Sequence, residues 1–230
     1  MCRRLSQITT FIVLSAIAFT AVPISAQTLR QPCSAGALGS DDFPTLIEQA
    51  ASCLEFGQRN AELAQRYLDR AISLQPDQVQ AYSLRVEAYF WQQQLGYAIA
   101  DATLAIYLEP SDPLLLARRA FLFSAIEDWR SALTDLDRAI GLDAANTELY
   151  AQAARYASIS EQPELAIRYL ERGLEAEPEN QSLLMQLGDV YYDMDERAQA
   201  LETYRAYLAL AQTPSELVRA RVLILERDAG

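Results

Sequence analysis

Histidine and lysine are both missing from this chain; every basic residue is arginine. That removes much of the usual catalytic repertoire. Histidine is the commonest general base and metal ligand near neutral pH. Lysine is needed for Schiff-base chemistry and grips phosphate in nucleotide-binding loops. No glycine-rich loop, Gly-x-Ser-x-Gly or zinc-spaced cysteine pair is present either. Carboxylates remain. Glu48 and Glu55 stand two turns apart on one helix, a conceivable glycosidase pair with no substrate cleft to support it. Asp193, Asp195 and Glu196 could be read as calcium ligands. They lack the EF-hand spacing and fall in a turn between helical segments, where solvated acids and caps are the usual occupants. The expectation is no catalytic residue, no metal and no cofactor: not an enzyme.

The cysteines carry the remaining reactive chemistry. Arg3 and Arg4, an apolar run from Ile8 to Val22, and Pro23-Ile24-Ser25-Ala26 before Gln27 have the layout of a secretory signal peptide over residues 1–26. The apolar run is shorter than the ~20 residues a spanning helix needs, although an uncleaved membrane anchor is the alternative. Cleavage after Ala26 removes Cys2 and leaves Cys33 and Cys53. In an oxidising compartment their disulfide is the economical reading, with two unpaired thiols as the alternative. The absence of a Cys-x-x-Cys spacing argues against a redox-active pair. Export to a bacterial periplasm is favoured, and secretion is compatible with the same signal.

The net charge is −12, and it becomes −14 once Arg3 and Arg4 are removed to leave 17 Arg against 31 acids. Nucleic acid is therefore not an expected partner, because its binding rests on cations set against phosphate. Peripheral binding to anionic lipid is disfavoured for the same reason. With half the residues apolar and few Gly or Pro, the 230 residues can form long helices with a continuous core.

Those helices repeat. Alanine occurs at 64, 98, 132, 166 and 200, five times at a spacing of 34. Eight positions later come Ile72, Ile106, Ile140, Leu174 and Leu208. Ala71, Ala105, Ala139 and Gly173 form a column of small residues that Tyr207 interrupts, and Pro76, Pro110 and Pro178 close three of the units. Within each unit the apolar residues follow helical steps, as Tyr82, Val86, Tyr89 and Phe90 do, followed by Ile99, Ala102 and Ile106. Small residues at the crossings allow close approach, and proline ends each unit because it cannot continue a helix. Asp112-Pro113 reads as a cap with proline at the first helical position, and Pro163 falls where a helix should begin. Thr213-Pro214-Ser215-Glu216 reads as a capping box that opens a last helix through about Arg227.

These columns resemble the tetratricopeptide repeat family. Unit five matches best, with Leu187-Gly188, Tyr191, Ala200 and Tyr204; unit one keeps only its second-helix half, Ala64, Leu68, Ala71 and Pro76. The resemblance implies an all-α, right-handed superhelical solenoid of about five helix-turn-helix repeats, over 45–78, 79–112, 113–146, 147–180 and 181–212. An N-terminal segment, 27–44, precedes them, and a capping helix follows in 213–230.

It also implies a concave groove lined by the first helix of each repeat. Carried onto this chain, the lining positions give Gln49, Cys53 and Phe56, then Ser83, Glu87, Phe90 and Trp91. Further along they give Ala117, Phe121, Arg155, Ser158, Met185, Asp189 and Tyr192, with Arg118 beside them. Phe90, Trp91, Phe121 and Tyr192 are the expected apolar contacts; Arg118 and Arg155 would take an acidic or carboxylate group. The lysine and asparagine that hold a terminal carboxylate in chaperone-binding relatives are absent from these positions. Helical periodicity leaves each aromatic open between core and groove, and each arginine between binding and a surface ion pair. The implied function is capture of a protein or peptide. A structural subunit of an envelope or secretion assembly, and self-association through the C-terminal helix, are the competing readings. A bridge from Cys53 to Cys33 would draw residues 33–44 toward the opening of the groove.

Overall fold

The computed structural model describes residues 33, 42–55 and 60–228. The leader, most of the N-terminal segment and Phe56 lie outside the described residues. The chain divides into two compact units, one ending at Pro110 and the other beginning at Ser111.

The first unit contains α1 (Phe43–Leu54), α2 (Ala61–Leu74), α3 (Val79–Trp91) and α4 (Leu95–Leu108). The second contains α5 (Pro113–Ala125), α6 (Trp129–Leu142), α7 (Thr147–Ile159), α8 (Pro163–Ala176), α9 (Gln181–Asp193), α10 (Arg197–Leu210) and α11 (Glu216–Asp228). Every regular element among the described residues is a helix. Within each unit consecutive helices pack together, and α1 also touches α3 as α7 touches α9. This is the contact pattern of stacked helix-turn-helix repeats. Among the described residues no helix is long and apolar enough to cross a membrane.

The 34-residue columns are the packing scheme. Ala64, Ala98, Ala132, Ala166 and Ala200 are all fully buried, where a first helix crosses the second and a larger side chain would hold them apart. Gly173 and Gly188 extend the rule: a Cβ on Gly173 would lie 2.8 Å from Leu183 Cδ1, and one on Gly188 would lie 2.5 Å from the Tyr204 ring. Tyrosine at the fourth position of a unit does a second job. The hydroxyl of Tyr82 donates to the Pro76 carbonyl at 2.9 Å, and that of Tyr150 donates to the Ala144 carbonyl at 3.2 Å, so each satisfies an acceptor left at the end of the preceding unit.

Turns recur with the same period. Gln93, Glu127, Glu161 and Asp195 all have φ near 60°, each reversing the chain between two paired helices. Asp195 is therefore the left-handed residue of its turn, bonded to Arg197 Nε at 2.8 Å. Asp112 accepts from Leu114 N at 2.8 Å ahead of Pro113, and Pro163 opens α8, as expected from their sequence context. Tyr207, the interruption in the small-residue column, has a local use: its hydroxyl accepts from the Ser215 backbone N–H at 3.1 Å and ties α10 to the start of α11.

α11 itself falls in the repeat register. Val218, Val222 and Leu225 lie 34 residues after Leu184, Gly188 and Tyr191, and all three pack into the cluster around Tyr204 and Tyr207. The expected capping helix is thus a sixth first helix laid over the end of the fifth repeat.

Candidate functional site

In the first unit α3 carries Glu87, Phe90 and Trp91. Ala81, Tyr82, Val86 and Ala88 are buried, as is Ser83, which was expected to line the groove; Glu87, Phe90 and Trp91 are half-buried. The two rings meet edge to face, with centroids 5.5 Å apart, an arrangement favoured by the aromatic quadrupole. The indole N–H of Trp91 points to Glu87 Oε1 at 3.4 Å, a long contact one helical turn apart. Trp91 also packs against the buried cluster of α1 and α2, and Cys33 joins the same cluster. The site offers an acid, an edge-paired aromatic surface and a weakly held N–H donor.

Cys33 and Cys53 form a disulfide, with Cα atoms 4.8 Å apart. It fastens the N-terminal segment at Cys33 to α1 beside the candidate face. One turn before Cys53, Gln49 is buried, and among the described residues its Oε1 meets no hydrogen-bond donor.

The second unit treats its candidates differently. Phe121 is only 6% exposed, so it is a core residue rather than the open apolar contact expected. Ala120, Phe121 and Leu122 are buried in succession. A helix covered on so wide an arc has no single face that periodicity could have picked out. Arg118 is half-buried. Arg155 is exposed and lies 3.4 Å from Glu148, a solvent-screened pair of little energetic weight. Asp189 and Tyr192 are taken up by α11. The Asp189 carboxylate accepts from the Tyr204 hydroxyl at 2.7 Å and from Arg221 Nη1. Arg221 also donates to the Tyr204 oxygen at 2.7 Å and sits over the Tyr192 ring, 4.5 Å from its centre. Burial, and then the neighbouring Asp189 acceptor, push the Tyr204 phenol above its ordinary range and keep it protonated.

A reading of charges as solvated missed two buried ion pairs. Arg85 forks onto Asp101, at 2.7 and 2.8 Å, and reaches Asp69 with its remaining nitrogen at 2.7 Å. Arg119 forks onto Asp135 with both contacts at 2.7 Å. Asp101 and Asp135 are almost fully buried. Each pair joins the two helices of one repeat 16 residues apart, and the second pair lies 34 residues after the first. That double spacing is the signal that could have found them. At the next step of the column Tyr169 donates to Asp137 at 2.8 Å.

A cleft of about 350 Å³ is lined by Ser158, Glu161, Pro163, Val190, Asp193 and Met194. It brings two carboxylates to one place, and among the described residues no group of three metal-ligating side chains exists. Glu48 and Glu55 both face solvent.

Comparison with known proteins agrees with the packing. The tetratricopeptide repeat profile matches residues 159–222, which run from the end of α7 through α10 into the first half of α11. Over that stretch the chain reads as tetratricopeptide repeats. Human tetratricopeptide repeat protein 13 is 34% identical over 85 residues, 37% of this chain and 10% of that protein, so the chain spans about a tenth of the relative it matches. Among solved structures, YrrB, described as a tetratricopeptide repeat protein with an unusual peptide-binding site, superposes with a TM-score of 0.61 at 18% identity. The match covers 84% of this chain and all of YrrB. MamA from Desulfovibrio magneticus gives 0.63 at 19% identity over 76% of this chain and 97% of its own. Pseudomonas aeruginosa pilF gives 0.62 at 16% over 81% and 85%. At these identities the likeness establishes the fold.

Proposed function

We propose that this chain is a non-catalytic scaffold that binds a protein or peptide outside the cytoplasm, and that α3 presents the contact. The observation that carries the reading is the half-buried trio Glu87, Phe90 and Trp91, with Trp91 packed on the same cluster as the Cys33–Cys53 bridge. In the second unit Phe121 belongs to the core and Asp189 is held by Arg221 of α11. Paired aromatics next to a charge are the composition of interaction hot spots, because they bury much area at little entropic cost. A flexible segment supplying an apolar side chain to the rings fits this chemistry. YrrB, a fold relative, carries a peptide-binding site by its own description.

The extracytoplasmic location rests on the leader-like residues 1–26 and on the Cys33–Cys53 bridge, which belongs in an oxidising compartment. Expression with the leader followed by mass spectrometry tests it: a mature chain starting at Gln27 with both cysteines oxidised is expected. Retention of residues 1–26 would assign the chain to a membrane anchor.

The binding reading is tested by retrieving partners from the native envelope with the wild type and with a Glu87→Arg, Phe90→Ala variant. Neither residue is fully buried, so the variant should keep its helical spectrum. Loss of specific partners is expected. Retention of every partner would rule out the α3 face.

A further inference from the structure

We propose that the outer face of α4 pairs, antiparallel, with the same face of a second copy of this chain. α4 runs Leu95–Leu108 and contains one charged residue, Asp101, which is turned inward onto Arg85. Its outer face carries the stripe Tyr97, Ala100, Leu104 and Tyr107, with Gly96 and Thr103 also exposed beside it; Tyr97 is 65% exposed, Leu104 46% and Tyr107 81%. A helix face bearing large apolar side chains and no charge is ordinarily covered.

The other repeats provide an internal control. At the positions of Ala100, Leu104 and Tyr107, α2 carries Arg66, Arg70 and Ser73, and α6 carries Thr134, Arg138 and Gly141. α8 carries Arg168, Arg172 and Glu175, and α10 carries Glu202, Ala206 and Ala209. The Leu104 position is therefore arginine in three of the four other second helices. The outer surface is charged in α2 and α8, mixed in α6 and α10, and wholly uncharged in α4.

Two observations select a second copy as the occupant. The stripe is symmetric, with steps of three, four and three residues. A two-fold contact must be self-complementary, and antiparallel pairing about the midpoint sets Tyr97 against the partner's Tyr107 and Ala100 against the partner's Leu104. Small then meets large, and the tyrosines lie at the ends, where their hydroxyls stay wet. The second observation is charge. Copies of a chain with net charge −12 repel one another, and this uncharged face is where they can meet without opposing acids. A strongly charged peptide finds no counter-charge on it. Tyr97 is already steadied by stacking on Tyr89, ring centres 5.3 Å apart, so less freedom is lost on pairing.

Two tyrosines and a leucine per copy bury a few hundred Å², well below the ~800 Å² per partner of a standard interface. The dimer should be weak, with a dissociation constant on the order of 10–100 µM. Sedimentation velocity of the full chain over a concentration series reads it directly. The wild type should pass from monomer to dimer. Leu104→Arg restores the residue its position carries on α2, α6 and α8, so the fold should survive, as a melting curve will check. It should raise the dissociation constant at least about tenfold. Leu217→Glu on α11, whose side chain is also exposed, should dimerise as the wild type does. Mixing a Tyr97→Cys chain with a Tyr107→Cys chain should give a crosslinked pair that neither forms alone. A wild type that stays monomeric, a Leu104→Arg variant that dimerises unchanged, or dimerisation abolished by Leu217→Glu would each overturn the proposal. So would a monomer that instead binds neutral phosphatidylcholine vesicles through Leu104. None of these outcomes bears on the α3 face.

Discussion

Replacing Gly188 by alanine should destabilise the second unit, although alanine is the better helix former. Gly188 lies within α9, where the exchange by itself favours folding by about 1 kcal/mol. The new methyl would lie 2.5 Å from both Cδ1 and Cε1 of Tyr204. That ring cannot step aside freely, because it is fully buried and its hydroxyl donates to Asp189 at 2.7 Å while accepting from Arg221 at 2.7 Å. Overpacking of this kind costs about 1–3 kcal/mol. Displacing the ring also forfeits a hydrogen bond to a charged group, about 1.5–3 kcal/mol. The costs exceed the gain, and the net loss should be about 3 kcal/mol. Gly141 is the control: a Cβ there meets nothing within 4 Å, so Gly141→Ala should stabilise by a few tenths to about 1 kcal/mol. Urea unfolding followed by circular dichroism compares the two. Amide exchange should accelerate in α10 and α11 of the Gly188 variant. A Gly188→Ala protein as stable as the wild type would refute the packing argument.

Asp135→Ala should cost about 3 kcal/mol, because it strands the largely buried Arg119 guanidinium. An Arg119→Leu, Asp135→Leu double variant should recover most of that loss, and urea midpoints of the cycle measure it. Reducing the Cys33–Cys53 bridge reopens a 20-residue loop and should lower the stability of the first unit by about 3 kcal/mol; melts with and without reductant check it. Asp128 caps α6, and its hydrogen bonds to Ser131 hold its carboxyl below the usual range. A carboxyl whose pKa is depressed by folding stabilises above its unfolded pKa and loses that contribution as pH falls through the folded value. Asp128→Ala should therefore cost about 1 kcal/mol at neutral pH, and the gap between variant and wild type should close below about pH 4.

What was legible in the sequence follows the period. Five alanines at one spacing foretold five helix crossings, and all five are buried. Asp112-Pro113 and Pro163 marked helix starts through chemistry local to a few residues. The cysteine pair was legible from the two cysteines left once the leader-like segment is set aside. The groove was legible only in part. Phe121 lies on an arc too fully covered for helical periodicity to separate core from surface. Asp189 and Tyr192 are engaged by Arg221, which lies 32 residues after Asp189, and no local pattern announces it. The Arg85–Asp101 and Arg119–Asp135 pairs could have been read, since their internal spacing recurs at the repeat period. Tyr207 looked like a lapse in the small-residue column, yet its hydroxyl fastens the start of α11.

The measurement nearest the central claim is hydroxyl-radical footprinting of the chain, alone and with a partner bound. It reads oxidation of aromatic side chains, and Phe90 and Trp91 are half-exposed in the free chain. The account predicts that the partner protects these two residues and leaves Tyr107 on α4 as reactive as before. Unchanged oxidation at Phe90 and Trp91, with protection confined to α4 or α11, would contradict it.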